Sequence, residues 1–274
     1  MKKLFLLTII IACFASYTAL AQRADYNIIP LPKQVETDTT QYFTLQTGMG
    51  IAYDATSEEI TRNAKFFSEW VEQSTGIKLA LTPNDKKAAV RMSLGFASDK
   101  KLREGETLTE QQQEAYKINI DDKGISIEAR NPIGLFRAAQ TLRKAMPIIK
   151  NKQDAKVEMP YAKIQDEPRF VYRGTLLDCG RHFFTVEVIK QMLDVMALHG
   201  CNQFHWHLTE DQGWRFEVKS LPNLALHGSV RQETTVGPNV GIYDGQPYGG
   251  YYTQCKILQR MGRAIYRHQV GTYA

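Results

Sequence analysis

The chain has 274 residues, 43% of them hydrophobic and 23% charged, with a formal net charge of +5. Its length fits one or two domains with ample sequence for a core. The charge is too small and too evenly spread to recruit nucleic acid or anionic lipid, so neither is expected as a partner.

The first element is a leader. Lys2-Lys3 precede an apolar run from Leu4 to about Tyr17, and Ala19-Leu20-Ala21 offers a small-x-small cleavage site. This pattern predicts a secretory signal peptide over residues 1–21, whose removal takes two lysines and no acid from the chain. The run falls short of the ~20 residues a membrane span needs, and no later segment is long and apolar enough to be transmembrane. Ile10-Ile-Ala-Cys13 is a weaker fit to a lipoprotein box, because it lies early and apolar sequence continues past Cys13. Either reading exports the protein, to the periplasm or beyond. The remaining thiols, Cys179, Cys201 and Cys255, are odd in number and irregular in spacing, which is no disulfide framework.

Residues 22–165 read as a small α+β domain. Ser57 is a candidate N-cap followed by Glu58 and Glu59, with Ile60, Ala64, Phe67 and Val71 at helical spacing until Gly76. Val90, Met92, Leu94 and Phe96 alternate as a strand. Tyr116, Ile118 and Ile120, a turn over 121–124, then Ile125 and Ile127 predict a hairpin. Asn131-Pro132 opens a second helix with Leu135, Phe136, Ala139 and Leu142 on one face, ended by Pro147. Two helices on a mostly antiparallel sheet is the expected layout. Lys150 to Pro168 is polar without periodicity, which suits a linker, and the adjacent acids Asp166-Glu167 suit a solvated junction.

From residue 166 to 254 the pattern changes. Phe170 to Asp178 reads as a strand, Thr185 caps a helix carrying Ile189, Met192, Leu193, Met196 and Ala197, and Cys201 to Leu208 is a second strand. Strand, helix, strand at this spacing is a βαβ unit with parallel strands. Its polar strand endings, Asp178 to His182 and Thr209 to Arg215, then share one edge of the sheet. Strands that only close a core do not usually end in so many polar groups, whereas an α/β barrel delivers them to its C-terminal face.

Five side chains in or beside these endings invite chemistry. The planar fork of Arg181 suits paired sugar hydroxyls or a carboxylate, or it pairs with Asp178 or Asp211 to shape the loop. His205 and His207 alternate along a strand and so share a side; they are metal-ligand candidates or, more simply, neutral interior histidines. Asp211 is placed to orient a catalytic base. Trp214 is an apolar platform for a sugar face or a packing residue.

The segments Arg173-Gly-Thr-Leu-Leu-Asp-Cys-Gly-Arg-His-Phe183 and His205-Trp-His-Leu-Thr-Glu-Asp-Gln-Gly-Trp-Arg215 resemble glycoside hydrolase family 20, the β-N-acetylhexosaminidases. Gly134 to Leu142 is similar to a helix of that family's N-terminal domain, and Tyr248 to Gln254 to a loop leading into the next barrel helix. The resemblance implies the first part of a (β/α)8 TIM barrel after the small domain. It also implies exo-acting hydrolysis of terminal N-acetyl-β-D-glucosamine or galactosamine from glycans or chito-oligosaccharides, with no cofactor and no metal. In that retaining reaction the substrate's acetamido oxygen is the nucleophile, a glutamic acid protonates the leaving group, and a neighbouring aspartate orients the acetamido N–H. By motif match Arg181 would bind ring hydroxyls, Asp211 would support a histidine next to the acid, and His207 would line the pocket.

The sequence departs from this pattern in one decisive respect. No adjacent Asp-Glu pair follows Glu210-Asp211, and from Arg169 onward fewer than half of the about 250 residues of a complete barrel are present. Residues 255–274 are basic, lack acids and read as a tail foreign to the family, which predicts a truncated or frameshifted ending after about Gln254. The residues given are therefore expected to be inactive alone. Two alternatives compete: a non-catalytic carbohydrate-binding or accessory fragment, and a metal-dependent hydrolase using His205 and His207.

Overall fold

The computed structural model describes residues 22–96, 107–237, 241–253 and 271–273, the last by backbone alone. The expected leader with Cys13, and Cys255 in the expected tail, lie outside these residues. The chain divides between Pro168 and Arg169 into two compact units.

The first unit holds one eight-stranded sheet. Its elements are β1 (Gln22–Arg23), β2 (Gln34–Gln46), β3 (Gly50–Ala52), α1 (Glu58–Thr75), β4 (Ala80–Leu81), β5 (Val90–Leu94), α2 (Glu110–Gln113), β6 (Tyr116–Asp121), β7 (Gly124–Ala129), α3 (Pro132–Ala145) and β8 (Lys156–Asp166). The order is β1-β8-β6-β7-β5-β3-β4, with β2 also on β8. Both expected helices form for the expected reasons. The Ser57 hydroxyl accepts from the Ile60 N–H, and Gly76 takes φ 82° while its N–H returns to Glu72. Pro132 stands at the first turn of α3, although the Asn131 side chain makes no capping bond. Trp70 of α1 meets Phe136 of α3 edge-on at 5.8 Å, above a sheet face of Ile51, Val90, Ile118, Ile127 and Val157, all buried.

The sheet is mixed: β6–β7, β6–β8 and β2–β8, which hold most of its paired residues, are antiparallel as expected, while β3–β4, β3–β5, β5–β7 and β1–β8 are parallel. A helix joins β3 to β4, and such a crossover returns the chain parallel. The supposed linker contains β8, which pairs with three neighbours. Its inward alternation, Val157 and Met159, changes phase at Pro160 to continue as Ala162 and Ile164, opposite a register shift between Asp38 and Tyr42 of β2. Asp166 is no solvated junction: it ends β8 and accepts from the Lys33 N–H and the Tyr116 hydroxyl, both at 3.1 Å, while Glu167 pairs with Lys33 at 2.7 Å. The strand expected to reach Phe96 stops at Leu94, where Gly95 takes φ 88°.

The second unit starts with β9 (Gly174–Asp178), α4 (Val186–Leu198) and β10 (Gln203–His207). The strands are parallel, with Leu176 opposite His205 and Asp178 opposite His207. Residues 271–273, β15, lie parallel on the other edge of β10. On the helix side, Phe204, Trp206 and Leu208 bury against Ile189, Leu193 and Met196 of α4, joined by Cys179 and Tyr252. Past β10 come β11 (Thr209–Glu210), β12 (Gly213–Trp214), α5 (Pro222–Leu226), β13 (Val230–Arg231) and β14 (Tyr248–Gly249); β11 pairs β12 and β13 pairs β14, both antiparallel. Among the described residues no helix is long and apolar enough to cross a membrane.

Candidate active site

Parallel pairing carries the two polar strand endings to one edge. Because side chains alternate along a strand, the residues that bury Phe204 and Trp206 against α4 leave His205 and His207 on the opposite face, beside Leu176 and Asp178. The two imidazoles stand 6.4 Å apart by ring centroid.

Arg181 sits just past β9 and its side chain is 54% exposed. Its guanidinium donates to Asp178 Oδ2 through one nitrogen and reaches Glu210 Oε2 at 2.9 Å through another, while its backbone N–H donates to Asp178 Oδ1 at 3.0 Å. The planar fork is thus fixed between two carboxylates from adjacent strand ends. Partial burial pushes the Asp178 carboxyl up, but the Arg181 N–H, its guanidinium and the nearby His207 together hold it below the usual aspartate range. Asp178, the alternative partner expected for Arg181, does bond it. Asp211, the other, is solvent-exposed and acts on Arg181 only through charge.

Glu210 is the residue that sequence reasoning missed. Its side chain is 11% exposed, and Oε1 is buried without a hydrogen-bond partner. Loop position and motif match put Asp211 above it; the tight turn between β11 and β12 sends Asp211 outward and leaves Glu210 turned toward Arg181. His207 Nδ1 lies 3.7 Å from Asp178 Oδ1, and its Nε2 contacts the Thr209 carbonyl at 3.1 Å. Asp178, His207 and Glu210 bring ligand-type atoms within 4.8 Å of one another, which is compact enough for a cation. Arg181 bonds both carboxylates, however, and offsets part of their charge without an ion. Trp214 is half-buried and its indole N–H donates to the Phe216 carbonyl at 2.6 Å, so the ring is fixed in the loop rather than free-standing.

Aromatic contacts fix the neighbouring loops, with Tyr252 reaching into the core on the helix side of β10. Tyr248 meets His182 edge-on at 5.8 Å and donates its hydroxyl to the Phe183 carbonyl at 3.3 Å. Tyr252 packs on Trp206 at 4.8 Å and donates to the Phe184 carbonyl at 2.6 Å. Cys179 is a buried free thiol that accepts from the Trp206 indole N–H at 3.2 Å, and burial pushes its pKa up, which disfavours the thiolate.

Residues 25–167 match domain 2 of glycosyl hydrolase family 20, and residues 170–267 match that family's catalytic domain. The second match continues past Gln254, so the change of composition there does not mark its end. A β-hexosaminidase of Porphyromonas gingivalis is 34% identical over 260 residues, covering 90% of this chain and 31% of the relative. A β-hexosaminidase of Vibrio furnissii is 33% identical over 245 residues, covering 89% and 36% respectively. Among solved structures, the N-acetyl-β-hexosaminidase of Streptomyces plicatus in complex with thio-NAglucal superposes with a TM-score of 0.71 at 27% identity, over 89% of this chain and 44% of that one. The Vibrio harveyi exo-β-N-acetylglucosaminidase in complex with N-acetylglucosamine gives 0.71 at 28% identity, over 92% and 36%. The chain spans about a third of the length of the curated relatives it matches.

Proposed function

The chain belongs to glycosyl hydrolase family 20, and from that premise we propose that its second unit is the hydroxyl-binding wall of an exo-acting β-N-acetylhexosaminidase site. The substrate class is glycans or chito-oligosaccharides ending in N-acetylglucosamine or N-acetylgalactosamine, cleaved by the substrate-assisted retaining route. The observation that carries this reading is Arg181: a half-exposed guanidinium locked between Asp178 and Glu210 at the C-terminal edge of parallel strands. Its outward N–H groups suit a pair of vicinal ring hydroxyls, and its rigid seat lowers the ordering cost of binding them. His207 lines the same face.

For the acid that supports a histidine, the geometry favours Glu210 over Asp211. Glu210 is the inward carboxylate, with one oxygen on Arg181 and the other buried and open to a donor, whereas Asp211 faces solvent. The N-terminal pattern Lys2-Lys3, apolar run and Ala19-Leu20-Ala21 supports export to the periplasm or medium.

Neither of the two carboxyl groups that do the chemistry in this route is supplied by an Asp-Glu pair after residue 211. A general acid alone contributes about 10²–10⁴-fold. The purified chain is therefore expected to show no turnover of a chromogenic N-acetylglucosaminide while binding N-acetylglucosamine through Arg181, with binding lost in R181M. Clear turnover, or sugar binding indifferent to R181M, refutes the proposal.

A further inference from the structure

Arg215 is fully buried, and none of the roles above uses it. Its guanidinium donates to four main-chain carbonyls: Cys179 at 2.9 Å from Nε, Gly180 at 2.8 Å from Nη2, and Ser229 and Gly250 (the latter at 3.2 Å) from Nη1. These acceptors come from three separate loops. Cys179 and Gly180 immediately precede Arg181, Ser229 precedes β13, and Gly250 follows β14. The backbone of Arg215 adds two more ties, its N–H to the Leu208 carbonyl and its carbonyl to the Tyr252 N–H. One planar cation thus collects carbonyl dipoles that the loops would otherwise bury without partners.

The sequence makes room for it. A Cβ on Gly213 would collide with the Arg215 guanidinium, one on Gly249 with the Ser229 carbonyl, and one on Gly250 with the Phe183 ring. Glycine at these positions lets several backbones converge on one side chain. Arg231 continues the network, donating to the Arg181 carbonyl at 2.7 Å and the Gln212 carbonyl at 3.2 Å, with its guanidinium 4.9 Å from the centre of the Tyr248 ring.

We propose that Arg215 is a positioning residue for sugar recognition: by gripping the two carbonyls before Arg181 it sets where that guanidinium stands relative to the Tyr248–Tyr252 segment. The sugar part of this role rests on the function proposed above. Arg215 touches neither reacting group nor sugar; it acts through the backbone.

The test compares the intact wild-type chain with R215K and R215M by hydrogen-exchange mass spectrometry, and titrates each with N-acetylglucosamine beside R181M. Loss of the clamp should accelerate exchange about tenfold or more over residues 179–184 and 249–252, leaving α4 and the first unit at wild-type rates. R215K keeps the charge but not the fork, so it decides the matter if R215M fails to fold. A uniform change across the second unit, or none, overturns the clamp. Sugar affinity in R215K weakened at least tenfold with an unchanged thermal midpoint supports positioning, whereas wild-type affinity in R215K overturns it. If the wild type binds no sugar, the hydroxyl-binding reading fails, and the exchange pattern alone decides whether Arg215 holds the loop.

Discussion

Asp166 and Asp178 both end strands, and the fold drives their carboxyls in opposite directions. Burial raises Asp166 despite the bonds from Lys33 and Tyr116, so its protonated form is favoured in the folded state. Stability from such a group is present below the ordinary aspartate pKa of about 4 and is lost as pH rises through the raised value. D166N should remove that loss. The urea midpoint of the wild type should fall relative to D166N between pH 4 and 7, and a difference that does not change with pH counts against a raised pKa. Asp178 is held low, so its contribution is present above about pH 4 and disappears as pH falls through the depressed value. D178N should lower the thermal midpoint of the second unit at pH 7 and not at pH 2. A gap that persists in acid would mean that shape, not charge, holds Arg181.

Elements whose signals are local could be read from sequence. Ser57 and Gly76 bracket α1 because a cap and a left-handed stop are properties of single residues. S57A should cost about 1 kcal/mol in urea unfolding of the first unit. G76A should cost at least about 1–2 kcal/mol, since alanine disfavours φ 82° and its Cβ would collide with Lys152. If G76A costs no more than S57A, the left-handed stop is not what ends the helix. The parallel pairing of β9 and β10 was equally legible, because strand, helix and strand at this spacing suit a crossover connection. What escaped was non-local. The alternation of β8 breaks phase at Pro160, so it looks aperiodic until its partner β2, irregular at the same place, is set beside it. Glu210 against Asp211 turns on a two-residue hairpin that flips neighbouring side chains. Arg215 had no readable role because its four acceptors are carbonyls, which every residue carries; the glycines at 213, 249 and 250 were the available sign.

At the scale of the whole molecule the two units differ in how completely their strands are covered. In the first, one face of an eight-stranded sheet is filled by α1 and α3. In the second, β9 has a single strand neighbour among the described residues, and Leu176 on it is 50% exposed, with Val195 of α4 at 52%. Apolar area left in water contributes nothing to folding, at about 25 cal/mol per Å² not buried, so the second unit should be the weaker. The three tryptophans make this measurable, since Trp70 reports the first unit and Trp206 with Trp214 the second. In urea, fluorescence of W70F should collapse at a lower midpoint than that of the W206F/W214F double variant. Both substitutions remove packing from the unit they silence, so each curve follows the unit left intact. Coincident midpoints would show that the two units unfold as one and that the exposed strand edge carries no penalty.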